Sequence, residues 1–272
     1  MTKFKMPYRE QISNKGTFGK VLNISGSNNY IGAAYLSTIS VLKIGAGLVA
    51  LASTPKVINS VSCLLPEAVY IERKFVLKKI NDFTTILIGC GLGVEPSSRN
   101  FFKRIIAELQ KETKPIVIDA DGLNLLACTK VKFSDKSDVI LTPHPLEASR
   151  LLGCELEEVL SDLEKSAKLI TEKYNVVTVL KTNRTVVCDK KGSIYVNNFG
   201  NSALAKAGSG DVLAGVISGL LAQGMESFDA SKLGVYLHSR AGEIASIDLT
   251  EYSVLASDTI NYLHKAIKEI QD

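Results

Sequence analysis

The sequence has little with which to hold a transition metal. Its 272 residues include three histidines and five scattered cysteines, at positions 63, 90, 128, 154 and 188. No two cysteines form a C-x-x-C pair, and no histidine stands at ligand spacing from one, which argues against a zinc site. An odd number of widely spaced cysteines reads as reduced, mostly buried thiols in a cytoplasmic protein. No apolar run approaches the length of a membrane span. The first ten residues, Met1 to Glu10, contain no apolar signal core. There is no G-x-x-x-x-G-K-[ST], which disfavours a P-loop, and no G-x-S-x-G elbow, which disfavours hydrolase chemistry. Charge of one sign is also lacking: 32 basic and 28 acidic residues leave +4, and the basic ones are scattered. That balance argues against a nucleic-acid partner.

What is present is an ordinary globular composition, 46% apolar and 22% charged, in a chain long enough for a large core. Short continuous apolar runs alternate with amphipathic stretches. Strands are predicted at 21–24, 47–52, 68–71, 84–89, 115–118, 138–141 and 176–180, with a hairpin at 185–188 and 194–196. Helices are predicted at 31–44, from 55 to about 63, up to 110, from about 146, over 155–173, and at 210–223, 228–246 and 256–270. This α/β alternation predicts a mainly parallel central sheet with helices on both faces. The candidate boundaries, 111–114 and 189–193, look like surface turns, so 1–272 is expected to be a single domain. Five predicted strands end in polar or glycine clusters: Ser25-Gly-Ser, Gly89-Cys-Gly, Asp119-Ala-Asp, Thr142-Pro-His and Lys181-Thr. Ligands of open α/β sheets bind outside the carboxyl ends of strands, so these clusters are expected to converge on one rim.

Gly208-Ser-Gly-Asp211 precedes an apolar stripe at 212, 213, 216, 217, 220 and 221 with helical spacing. Two glycines and a hydroxyl thus open a helix with a carboxylate in its first turn. A helix start offers unpaired N–H groups and the positive end of the macrodipole, a setting for phosphate. Asp211 there can take a proton from a hydroxyl beside the phosphate, or can simply cap the helix. Gly89-Cys-Gly-Leu-Gly93 imitates a dinucleotide fingerprint but has Val94 at its sixth position and Lys111 where an acid is expected. Asp119 and Asp121 end a strand and can position a hydroxyl or hold hydrated Mg²⁺; Asp121 can equally cap the next helix. His144, between Pro143 and Pro145, is a restrained imidazole suited to ligand contact. Glu147, three residues on, can cap or contact a metal-bound water. Lys181-Thr182-Asn183-Arg184-Thr185 offers a cation, hydroxyls and an amide to a nucleotide, or forms a solvated turn.

These pieces together resemble the ADP- or ATP-dependent NAD(P)H-hydrate dehydratases of the ribokinase-like superfamily, over about Lys15 to Ile270. The matching stretches include Lys15-Gly-Thr-Phe-Gly-Lys-Val-Leu, Gly26-Ser-Asn-Asn-Tyr-Ile-Gly-Ala-Ala34, Lys43-Ile-Gly-Ala-Gly-Leu-Val49, Asp119-Ala-Asp-Gly-Leu-Asn124, Leu141-Thr-Pro-His-Pro145, Gly200-Asn201, Gly208-Ser-Gly-Asp-Val-Leu-Ala-Gly215 and Tyr236-Leu-His238. Gly-x-Gly-Asp is shared by the whole superfamily; Thr-Pro-His-Pro with Asp-Ala-Asp-Gly-Leu-Asn is more specific.

The resemblance implies a repair reaction. The ring hydroxyl of the S-hydrate of NADH or NADPH is phosphorylated by ADP, or by ATP, then phosphate is eliminated and AMP is released from ADP. It implies Asp211 as general base, an anion hole at Gly208, Ser209 and Gly210, and hydrate contacts at Ala33, Gly91, His144 and Asp211. Lys181, Thr182, Asn183, Arg184, Thr185 and Gly210 carry over as adenine-nucleotide positions. Mg²⁺ is implied on the phosphates, through water held by Glu147, and a homotetramer is implied. Cys90 stands where the family usually has proline, Thr182 where it has glycine, and Ala207 where a further glycine is common. The motifs begin by Lys15, so the epimerase domain fused to many relatives is expected to be absent. The rival expectation is a ribokinase-like kinase of a vitamin-precursor alcohol, which uses the same base but leaves a stable phosphoester.

Overall fold

The apolar runs form strands buried on both faces, as a parallel sheet between helical layers requires. A computed structural model describes residues 4–111 and 113–271. Met1 to Lys3 of the segment read for a signal core, Glu112 of the candidate turn at 111–114, and Asp272 lie outside them. The elements run β1 (Lys20–Ile24), α1 (Ile31–Lys43), β2 (Leu48–Ser53), α2 (Pro55–Ser62), β3 (Val69–Glu72), α3 (Val76–Lys79), β4 (Thr85–Ile88), α4 (Pro96–Leu109), β5 (Ile116–Ile118) and α5 (Asp121–Ala127). They continue β6 (Val139–Leu141), α6 (Pro145–Leu152), α7 (Leu156–Ser161), α8 (Leu163–Tyr174), β7 (Val177–Leu180), β8 (Val186–Cys188), β9 (Ile194–Val196), α9 (Ser209–Ala222), α10 (Ser227–Ser253) and α11 (Ala256–Gln271).

Among the described residues, nine strands form one sheet in the order β3-β2-β1-β4-β5-β6-β7-β8-β9. Neighbours are parallel from β3 through β7, and β8 and β9 add an antiparallel hairpin at the edge. Side chains alternate between the faces. Val21, Leu87, Val117 and Ile140 meet α1, α9, α10 and α11 on one side. Leu22, Ile24, Ile86, Ile88 and Ile118 meet α4, α5 and α8 on the other. The expected rim is present: Ser25, Gly89, Asp119, Thr142 and Lys181 each follow the last residue of β1, β4, β5, β6 and β7, five strands adjacent in the sheet.

Two helix boundaries differ from expectation. The stretch 155–173 is broken at Asp162, whose extended backbone (φ −152°) ends α7 and whose Oδ1 accepts from Lys165 N at 2.9 Å to cap α8. Helix α10 runs on past 246 to Ser253, with a kink at Thr250, where φ is +69°.

The small residues of α9 let it lie directly against α1. A Cβ placed on Gly215 would come 2.4 Å from the carbonyl oxygen of Ser37. Gly215→Ala is therefore expected to destabilise the fold by about 1–3 kcal/mol through overpacking, although alanine favours a helix by about 1 kcal/mol. Urea unfolding checks this; an unchanged midpoint would mean that α1 and α9 separate freely.

Candidate active site

Helix α9 aims its open end at the rim. Gly208 precedes it with φ +91°, a left-handed conformation that favours glycine. Ser209 gives its own N–H to the Lys206 carbonyl (3.3 Å) and Val212 gives its N–H to the Gly208 carbonyl (3.1 Å). The open amides of the turn are thus those of Gly210 and Asp211. A Cβ on Gly210 would lie 3.2 Å from Lys181 Nζ and 3.8 Å from Asp119 Oδ2, so the strand-end pair sits against the helix start.

That pair is the centre of the site. Asp119, 1% exposed, accepts from Lys181 Nζ at 2.6 Å and from Thr142 Oγ1 at 2.7 Å, both on Oδ1. Three neighbouring strand ends therefore converge on one carboxylate oxygen. Burial acts to lower the proton affinity of Lys181, but the Asp119 and Glu147 carboxylates outweigh it and hold the ammonium above its ordinary value. Lys181 is a fixed cation at neutral pH.

Asp211 faces this cluster from α9. Burial, with the Asp119 charge adding to it, pushes its carboxyl up to about 6, against the opposing effects of a hydrogen bond to Cys90 and of Lys181. A carboxylate tuned towards neutrality is what a general base needs. Cys90 is fully buried beside both acids, 3.9 Å from Asp119 Oδ2. Burial, then Asp211 and Asp119, push its thiol well above the usual range, so it stays protonated and donates. Cys90 Sγ and one oxygen each of Asp119 and Asp211 lie within 4.8 Å of one another. A thiol that stays protonated is no metal ligand, so a cation here would have only the two carboxylates, one of them already on Lys181.

His144 and Glu147 open α6. Glu147 N donates to His144 Nδ1 at 3.3 Å, and His144 N donates to Glu147 Oε2 at 2.9 Å, a reciprocal cap. His144 keeps nearly half its side chain exposed, whereas Glu147 is buried. Burial, helped by the Lys181 charge, lowers the proton affinity of His144, so the imidazole is neutral. Burial raises Glu147 to about 7, with Asp119 adding and Lys181 opposing.

A cavity of about 710 Å³ opens here, within the usual size of a small-molecule site. Of the residues anticipated from sequence, His144, Lys181, Thr182, Asn183, Thr185, Ser209 and Gly210 line it. Ala33 and Gly91 are brought together: a Cβ on Gly91 would lie 2.9 Å from that of Ala33. Arg184 is not with the rest. It borders a separate groove near Asp162 and Val196, while its N–H meets Thr182 Oγ1 at 3.1 Å. Asp121 turns away as well, accepting from Gly93 N at 2.8 Å and so tying down the loop after β4.

The sequence profile of the NAD(P)H-hydrate dehydratase family matches residues 21–265. The chain belongs to that family. An ADP-dependent (S)-NAD(P)H-hydrate dehydratase of Neisseria meningitidis is 36% identical over 87% of the chain and 80% of its own length. A bifunctional NAD(P)H-hydrate repair enzyme of Moorella thermoacetica is 35% identical over 98% of the chain, and the chain spans about half of it, 53%. The chain likewise spans about half the length of the other bifunctional relatives it matches. The crystal structure of an ADP/ATP-dependent NAD(P)H-hydrate dehydratase from Bacillus subtilis, co-crystallised with ATP/Mg²⁺, superposes with a TM-score of 0.87 at 30% identity, covering 97% of this chain and 94% of that one. The fold is ribokinase-like.

Set against this dehydratase framework, sequence reasoning named Asp119 only alongside Asp121, as a strand-end acid for a hydroxyl or Mg²⁺, and did not anticipate its pairing with Lys181. It also left out the cavity wall at Phe199–Leu204 and on α10. The signal was there in the matched Gly200-Asn201 and Tyr236-Leu-His238, but neither carries an obvious reacting group.

Proposed function

We propose that the chain is an ADP-dependent dehydratase of the S-hydrates of NADH and NADPH, with ATP as the alternative donor. The observation that carries this is the meeting of Asp211, the open α9 turn and the Lys181–Asp119 pair at one rim. Asp211 takes the proton of the ring hydroxyl as its oxygen attacks the terminal phosphorus of ADP. The bond from that phosphorus to the bridging oxygen breaks, and AMP leaves. The Gly210 and Asp211 amides, with the helix dipole and Lys181, hold the charge on the transferred group. The C–O bond to phosphate then breaks, the neighbouring ring carbon loses a proton, and the ring double bond of NAD(P)H is restored. His144, Ala33 and Gly91 border the acceptor; Lys181, Thr182, Asn183, Thr185 and Gly210 border the nucleotide.

The residues fit a hydrated magnesium ion. Glu147 and Asp119 are buried carboxylates around a single lysine, and hard cations take oxygen ligands. Both Glu147 oxygens already face His144, so Glu147 would hold the ion through water. Mg²⁺ would neutralise charge on the nucleotide phosphates. One domain, a cytoplasmic location and a homotetramer belong to the same proposal.

The test is the fate of phosphorus. With S-NADHX and ADP, ³¹P NMR should show AMP and orthophosphate growing in equal amounts. A lasting phosphoester would instead assign the chain as a small-molecule kinase, which shares the base but not the elimination.

A further inference from the structure

One wall of the 710 Å³ cavity is a loop, Phe199 to Leu204, on the path from β9 to α9. Hydrogen bonds fasten this loop and the residues leading into it to α10. Asn197 Nδ2 donates to Ser239 Oγ at 3.0 Å, Gly200 N donates to Glu243 Oε1 at 2.6 Å, and Asn201 Nδ2 donates to Ser246 Oγ at 2.8 Å. Positions 239, 243 and 246 follow helical spacing, so one face of α10 carries all three acceptors.

The middle bond differs from its neighbours. Its donor is backbone, and its acceptor is ionised, which shortens and strengthens it. Gly200 has φ +104°, where an L side chain is rarely found, and a glycine by itself holds no single conformation. The Glu243 carboxylate therefore supplies a constraint that the local chain lacks. That carboxylate is itself held. Arg240 Nη1 pairs with Glu243 Oε2, while Arg240 Nε and Nη2 donate to Oε2 and Oε1 of Glu269 on α11 at 3.1 and 2.9 Å. Glu243 does not line the cavity; it borders a neighbouring groove with Arg240 and Ser246. It can act on a ligand only through the loop.

We propose that Glu243 is a positioning residue for the nucleotide. By fixing the Gly200 turn it holds the Phe199–Leu204 wall in its binding shape before ADP arrives, so that binding does not have to order the loop. Ala33 and Gly91, which border the acceptor, lie outside this cavity, so the hydrate does not depend on the clamp. The inference rests on reading the cavity as the nucleotide site.

Isothermal calorimetry with ADP, and initial rates with ADP and S-NADHX varied in turn, test this. Alanine is a strong helix former, so Glu243→Ala should leave α10 folded. It should weaken ADP binding and raise the KM for ADP by about tenfold, the scale of one hydrogen bond to a charged group. Both kcat and the KM for S-NADHX should stay within about threefold, as when uniform binding of one substrate is lost. Glu243→Gln keeps an oxygen for the Gly200 N–H and should recover most of the loss; Arg240 retains Glu269 in both variants. Wild-type affinity for ADP in Glu243→Ala, with or without a lower urea midpoint, would make Glu243 at most a stabilising residue and overturn the assignment. So would an equal rise in both KM values, or a glutamine variant as weak as alanine. No binding of ADP to the wild type would overturn both the assignment and the functional reading.

Discussion

Asp211→Asn is expected to lower turnover by about a hundred- to ten-thousandfold, the usual contribution of a positioned general base. ADP affinity should stay within about threefold, because the open amides and Lys181 remain to hold the nucleotide. The wild-type rate should also fall on acidification with a limb near the value of about 6 to which burial and Asp119 raise Asp211. A base works only when ionised, so activity is present above that pH and lost below it. The same shift has a stability consequence of opposite sense. A carboxyl raised in the fold binds its proton more tightly there than in the unfolded chain. Its contribution to stability is full below its ordinary 3.8 and lost as pH rises through about 6. At about 1.4 kcal/mol per unit, the penalty carried at pH 8 is on the order of 2–3 kcal/mol. Asparagine carries no such penalty, so the inactive variant should unfold at a higher temperature than wild type at pH 8, and the gap should close near pH 4. Turnover within about threefold of wild type would remove Asp211 from the mechanism.

Lys181→Met should be the more damaging substitution for the fold. It leaves the Asp119 carboxylate, 1% exposed, with the Thr142 hydroxyl and the Cys90 thiol but without its cation. Breaking a buried pair from one side typically costs about 3–5 kcal/mol. Lys181→Met combined with Asp119→Asn removes both charges and should recover much of the loss. The double variant should still bind ADP poorly, since the cation facing the phosphates is gone. Because the lysine is held above its ordinary value, the pair persists across neutral pH and its contribution is lost only in strong alkali. Urea unfolding of the two variants and the wild type decides this. A single variant as stable as wild type would show that solvent reaches Asp119 freely.

The parallel sheet and its functional rim were legible because they are local properties: buried strands are continuous apolar runs, and their ends are polar or glycine-rich. The start of α9 was legible for the same reason, as capping chemistry followed by a helical stripe. Pairings at long range were not. Asp119 and Lys181 are 62 residues apart, and only the strand order places β5 and β7 on either side of β6. Nothing local separates Asp119, which enters the site, from Asp121, which turns to Gly93. Arg184 looked equivalent to its neighbours in the loop after β7, but the loop points it to another face. Cys90 read as an ordinary buried thiol; its contact with two acids depends on how the β4 loop meets α9. His238 was part of a matched stretch, yet the burial of its ring is a property of packing alone.

The most direct measurement incubates the protein with S-NADHX, ADP and Mg²⁺ and follows the absorbance of reduced nicotinamide. The account predicts that absorbance returns, that AMP forms in step with it, and that Asp211→Asn abolishes both. No regain of absorbance with either ADP or ATP would contradict it.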